Sequence, residues 1–164
     1  MRPGRRLGVD VGSVRVGVAS CDPEGLLAHP LATLAADADG SELARLAELA
    51  REHDVVEILV GLPRSLDGGE GPAARRARGY ARSIALACAP TPVRLVDERL
   101  TTVDAQRGLR ASGVSARAQR RVVDQAAAVL ILQAALDAER ATGTPPGLPA
   151  IGKRRKPRTK GTTV

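Results

Sequence analysis

Asp10 stands in the middle of an otherwise apolar run, Leu7-Gly-Val-Asp-Val-Gly-Ser-Val-Arg-Val-Gly-Val-Ala19. A carboxylate buried in such a run is costly unless it is paired or holds a cation. Gly8 and Gly12 flank it on the same face by strand alternation, which would leave room for an ion or a phosphate. A second acidic patch, Asp97-Glu98, lies in Val93-Arg-Leu-Val-Asp-Glu-Arg-Leu-Thr-Thr102. It falls at the end of an expected parallel strand, where open α/β sheets place their ligands. Adjacent strand residues point to opposite faces, so only one of the two can join Asp10. A helix N-terminal position, favoured by the macrodipole, suits Asp97. Asp124 lies near the start of the most apolar helix, ahead of Ala126–Ala128, whose small side chains let a helix approach a sheet. Taken alone it is either an ordinary helix-start acid or a carboxylate of the same site. The fourth patch, Val60-Gly-Leu-Pro-Arg-Ser-Leu-Asp-Gly68, follows a buried strand. Arg64 and Ser65 suit a phosphate and Asp67 suits orienting them; an ordinary polar loop reads equally well.

Three carboxylates on separate elements suggest hard-cation chemistry. Mg²⁺ prefers oxygen ligands and keeps waters and substrate phosphates in its shell. Two such ions about 4 Å apart can activate a water and stabilise the leaving oxygen of a phosphodiester. Mg²⁺ or Mn²⁺ is therefore expected. Zn²⁺ is disfavoured, because the chain has only Cys21, Cys88, His29 and His53 and no CxxC spacing. No organic cofactor site is read.

The elements that must position these residues follow from pattern. Arg5–Val11 and Arg15–Ser20 read as strands joined at Gly12-Ser13, and Leu26–Leu34, interrupted by Pro30, as an edge strand. Asp39-Gly-Ser-Glu42 opens a helix through His53, with an acid three residues after a capping residue. Val55–Val60 is a strand covered on both faces. Gly61–Gly71 is a loop, and Pro72 begins a helix to about Ala89. Val93–Val96 is a strand, Thr101 to about Gly113 a helix, and Val122–Arg140 the longest helix. The order βββαβαβαα predicts an α/β fold. Three antiparallel strands are followed by parallel ones in a mixed sheet with helices on both faces.

The 164 residues carry 25 basic and 18 acidic groups, a net +7. The last thirteen, 152–164, hold Lys153, Arg154, Arg155, Lys156, Arg158 and Lys160 and no acid, so the rest is near neutral. Acids cluster between Asp37 and Glu57, whereas arginines dominate Gly71–Val96 and Arg99–Arg121. This segregation suits a polyanion on one face. Residues 1–140 read as one domain and 141–164 as a disordered basic tail. The single aromatic residue, Tyr80, argues against recognition by base stacking. No apolar run reaches a membrane span and no signal-peptide pattern opens the chain. Two unpatterned cysteines suit a reducing cytosol, so a cytoplasmic location is expected. No dimer seam is evident, and a monomer or weak homodimer is expected.

The blocks DVGSVRVGVASCD (10–22), ILVGLPRSLDG (58–68), VRLVDERLTT (93–102) and VDQAAAVLIL (123–132) resemble, in order and spacing, those of the YqgF/RuvX family. The resemblance spans roughly Arg5 to Leu136. It implies a ribonuclease H-like fold related to the RuvC resolvases. It also implies a nuclease of the 5′ end of pre-16S rRNA, in ribosome biogenesis, or a Holliday junction resolvase acting on four-way DNA. By the resemblance, Asp10, Glu98 and Asp124 carry the acidic, metal-binding site. Val14 departs from the family, which usually has a basic residue before Arg15. Arg15, Arg64, Asp67, Arg99, Thr101, Arg107, Arg120 and Arg121 are the candidates for holding the substrate. An actin or sugar-kinase type ATPase shares the D-x-G opening but needs two domains. A non-catalytic RNA assembly factor would use the same basic face without cleavage.

Overall fold

The computed structural model describes residues 1–99 and 116–151, with the side chains of 116–124 excepted. Strands β1 (Arg5–Val11), β2 (Arg15–Cys21) and β3 (Ala28–Ala35) form a meander. Helix α1 (Ser41–Glu52), β4 (Val55–Leu62), α2 (Pro72–Ala87), β5 (Val93–Asp97), α3 (Ala116–Thr142) and β6 (Leu148–Pro149) follow. The six strands pair in the order β3-β2-β1-β4-β5-β6. β4 runs parallel to both β1 and β5, and β6 is antiparallel to β5. The expected mixed α/β sheet is therefore present. The helix expected over 101–113 lies outside the described residues. The chain was expected to leave the fold after residue 140, but α3 continues to Thr142 and Leu148–Pro149 adds an edge strand. The physical reason is Arg94, whose guanidinium donates to the carbonyls of Pro146 and Gly147 at 2.7 and 2.8 Å.

Alternation divides the sheet residues between two layers. Leu7, Val9, Val18, Ile58, Val60 and Leu95 pack with α1 and α2. Ala19, Cys21, Leu59 and Val96 pack with Ala128, Ile131, Leu132, Ala135 and Leu136 of α3. With Tyr80 as the sole aromatic residue, both layers are thin and the backbones lie close. Gly8 shows how close: a Cβ there would be 2.7 Å from Leu132 Cβ and 2.8 Å from the Ala128 carbonyl oxygen. Gly12 serves the hairpin instead, donating its N–H to the Arg15 carbonyl, which would also block a side chain. The space beside these two glycines is thus filled by protein and is not open to an ion.

At the opposite end of α3, Glu139 is buried against Arg6, itself 0% exposed, and accepts from Arg2 at 2.6 Å. Arg2 also bridges to Glu57 at 2.9 Å. Burial would raise the Glu139 pKa, but the hydrogen bond from Arg2 and the charges of Arg2 and Arg6 outweigh it and hold the carboxyl below its ordinary value. The N-terminal segment, β4 and the helix end are thereby tied together. Helix α1 starts without the expected side-chain cap on its own N–H groups. Asp39 accepts from the Ser41 amide, Glu42 reaches back to the Asp37 amide, and Tyr80 donates to Glu42 at 3.0 Å.

Replacing Gly8 by Ala should push α3 off the sheet. Overpacking of this kind costs about 1–3 kcal/mol, to be read as a lowered urea midpoint at unchanged slope.

Candidate active site

The register of the sheet sets the surroundings of Asp10. Its β2 partner is Gly17. On β4, Val9 pairs with Val60, so the next residue up is Gly61. Asp10 therefore has glycine on both sides, on the face that carries α3. A Cβ on Gly61 would collide with the Glu98 carboxylate and with Ile131 Cδ1. Glu98 follows β5, its amide donating to the Leu62 carbonyl at 3.3 Å, and extends its side chain across Gly61 toward Asp10. The clearing that the sequence assigned to Gly8 and Gly12 is made by Gly17 and Gly61. Glycine inside the apolar strand VVEILVGL was the available signal, since strand glycines mark close approach.

The charges confirm the proximity. Burial first, then the negative charges of Asp10 and Asp97, push the Glu98 carboxyl up to about 7. Two half-buried acids in one cleft disfavour joint ionisation, and a divalent cation between them would reverse that penalty. The donors are hard oxygens, as Mg²⁺ or Mn²⁺ requires. Cys21 and Cys88 are buried elsewhere and His29 is exposed on β3, so no soft ligand competes here. Among the described residues no three acids, histidines or cysteines form a metal-binding group. The third carboxylate of the sequence reading, Asp124, lies one helical turn before Ala128 on α3, and its side chain is outside the described ones. Helix α3 runs antiparallel to β1: Glu139 meets Arg6, and Leu132 and Ala128 meet Gly8. Four more helix residues advance about 6 Å, and two strand residues about 6.6 Å, so the Asp124 backbone falls near the level of Asp10.

Asp97 points the other way, answering which of the adjacent acids joins Asp10. Its Oδ1 accepts from the Arg99 amide at 3.0 Å, and its Oδ2 pairs with the Arg99 guanidinium at 2.6 Å and with Arg64 at 4.0 Å. The hydrogen bond from the Arg99 side chain holds the Asp97 carboxyl below its ordinary value. Asp97 thus gathers Arg64 and Arg99 at the strand ends. Asp67 builds the neighbouring turn. It accepts from the Ser65 hydroxyl and from the Gly69 amide at 2.8 Å, with Gly68 at φ +86°. Leu66 on that turn is 95% exposed, a feature the sequence reading missed. Arg15 opens β2 at the hairpin beyond Asp10. Arg120 and Arg121 lie on α3 with side chains outside the described set, and Thr101 and Arg107 lie outside the described residues altogether.

Residues 4–138 match the RuvX family, described as Holliday junction resolvase. The chain belongs to the RuvX family. A relative in Streptomyces coelicolor, named "Putative pre-16S rRNA nuclease", is 57% identical over 147 residues, covering 90% of this chain and 88% of its own. One of the same name in Kineococcus radiotolerans is 56% identical over 164 residues, covering 98% and 87%. Among solved structures, Thermus thermophilus RuvC in complex with a Holliday junction substrate aligns with a TM-score of 0.57 at 15% identity, over 89% of this chain and 99% of that one. The fold is thus RuvC-like and of the ribonuclease H type. No described helix is long and apolar enough to cross a membrane.

The raised pKa of Glu98 has a stability signature in the metal-free protein. The fold favours the neutral acid, so its contribution is full below the ordinary value of 4.5 and is lost as pH rises through about 7. Glu98→Gln should escape that loss. Its stability advantage over the parent in urea unfolding with chelator should grow between those pH values and level off above. A pH-independent difference would rule out the burial account.

Proposed function

We propose that the protein is a divalent-metal-dependent nuclease that processes the 5′ end of the 16S rRNA precursor in the cytoplasm. The observation that carries this is the convergence of Asp10 and Glu98 over Gly61 on the face covered by α3. Family membership and the names of the 55–58% identical relatives support the same hydrolytic class.

Asp10, Glu98 and Asp124 would hold Mg²⁺ or Mn²⁺. Such an ion supplies Lewis acidity at a phosphodiester and lowers the pKa of a water. The chain's own residues do the rest. Gly17 and Gly61 keep the floor of the cleft free of side chains. Asp97 holds Arg64 and Arg99 at the strand ends, where their guanidinium groups can grip phosphate oxygens bidentately. Arg15 flanks the hairpin, and Arg107, Arg120 and Arg121 extend the basic set. With no exposed aromatic platform, recognition rests on backbone phosphates and shape.

A second reading, resolution of four-way DNA, is favoured by the family description and by the RuvC-like fold. A side-by-side assay separates the two, offering a 5′-extended 16S precursor and a mobile four-way junction with Mg²⁺ or Mn²⁺. We expect cleavage of the precursor and little of the junction. Asp10→Asn should lower the rate by at least about 10³-fold, the scale of losing a principal electrostatic group, while RNA affinity in chelator changes little. Undiminished cleavage by Asp10→Asn would overturn the mechanism, and preferential junction cleavage would overturn the substrate.

A further inference from the structure

The basic tail begins at a built anchor, and the anchor sets where it can act. Thr142 Oγ1 donates to the Ala138 carbonyl at 2.8 Å, and Gly143, at φ +73°, turns the chain out of α3. Gly147, at φ +70°, passes so close to the Leu95 carbonyl that no side chain would fit. Leu148 then pairs with Leu95 and Pro149 with Arg94, and the Ala150 amide donates to the Val93 carbonyl at 2.9 Å. Arg94 clamps the approach through the Pro146 and Gly147 carbonyls. Because β6 is antiparallel to β5, the chain runs away from Glu98 and reaches Ile151 at the level of the start of β5. That is the rim of the sheet opposite the acids, about 17 Å away by the five-residue rise from Val93 to Glu98.

Six cations and no acid follow in the next thirteen residues. Those residues span at most about 45 Å fully extended. A like-signed segment of this density has one natural partner class, a polyphosphate backbone. We propose that the tail is a second RNA-binding element, anchored at the rim remote from the acid pair, that grips phosphates of substrate lying beyond the cleavage site. This rests on the nuclease reading for its RNA, and it adds that long substrates are held at two places on the molecule. Short ones, reaching only the acids, would not meet the tail.

The test uses the full chain and a variant with Lys153, Arg154, Arg155, Lys156, Arg158 and Lys160 all changed to Gln. Binding is measured in chelator, so that no cleavage intervenes. The probes are an RNA of about five nucleotides, at the lower end of single-strand site sizes, and a strand several times as long. For the long RNA we expect the slope of log affinity against log salt to fall by about 4, since each lost single-strand phosphate contact removes about 0.7. The short RNA should bind both proteins alike, within about twofold. Equal losses for both RNAs would place the tail at the acid pair and overturn the proposal. Unchanged binding of both would show that the tail does not bind RNA. Tighter binding by the variant would show that the tail instead pairs with the acidic end of α1, around Glu48, Glu52 and Asp54. The readout is affinity alone, so an active Asp10→Asn protein would sink the nuclease reading and leave this result legible.

Discussion

Two carboxylates that repel one another have to be held in one half-buried cleft, and the rest of this edge of the molecule is arranged around that constraint. Glu98 would relax away from Asp10 if it had somewhere to go. Ile131 of α3 closes one side of it, and the backbone bond from its own amide to Leu62 fixes its root. The stored repulsion appears as a carboxyl that titrates near neutrality. Asp97, one residue earlier, shows the opposite state, since two guanidinium groups keep it ionised. Adjacent residues of one strand end thus present a carboxylate poised for a cation and a carboxylate already satisfied by arginine. Strand alternation is enough to keep the two environments apart.

The scaffold that makes this possible is built from small side chains. Helix α3 lies on Gly8 through Ala128, and the contact carries neither an aromatic ring nor a long aliphatic chain as spacer. A close-packed interface of this kind has few alternative arrangements, because any added atom meets backbone. At the far end the helix is tied by Glu139 to Arg2 and Arg6. Breaking a buried ion pair by removing one partner is far costlier than the pair's net gain, so such a tie acts more as a fixed register than as a source of stability.

Much of this was legible beforehand. The β1 limits, the Pro72 helix start and the antiparallel-then-parallel order followed from period and turn residues. Alternation put Asp10 on the right face but could not say what fills the space beside each glycine, which depends on the neighbouring strand's register. For the same reason it left Asp97 and Glu98 undecided. β6 was missed because two residues carry no period, and TPPGLP reads as a breaker until Arg94 is seen to hold its carbonyls. Val122 was taken as the start of the last helix, whereas the chain is helical from Ala116, since polar, arginine-rich turns give no apolar stripe.

The two rims of the sheet share a property with a consequence for self-association. One ends in β3, which carries Pro30 opposite a bulge in β2, and the other in β6, two residues long with Pro149 as one of them. Proline offers no amide to an incoming strand, and short or bulged margins are poor templates. The sheet is self-limiting: a second copy cannot extend it from either side. Any twofold pairing of this protein would have to be built from helices and loops.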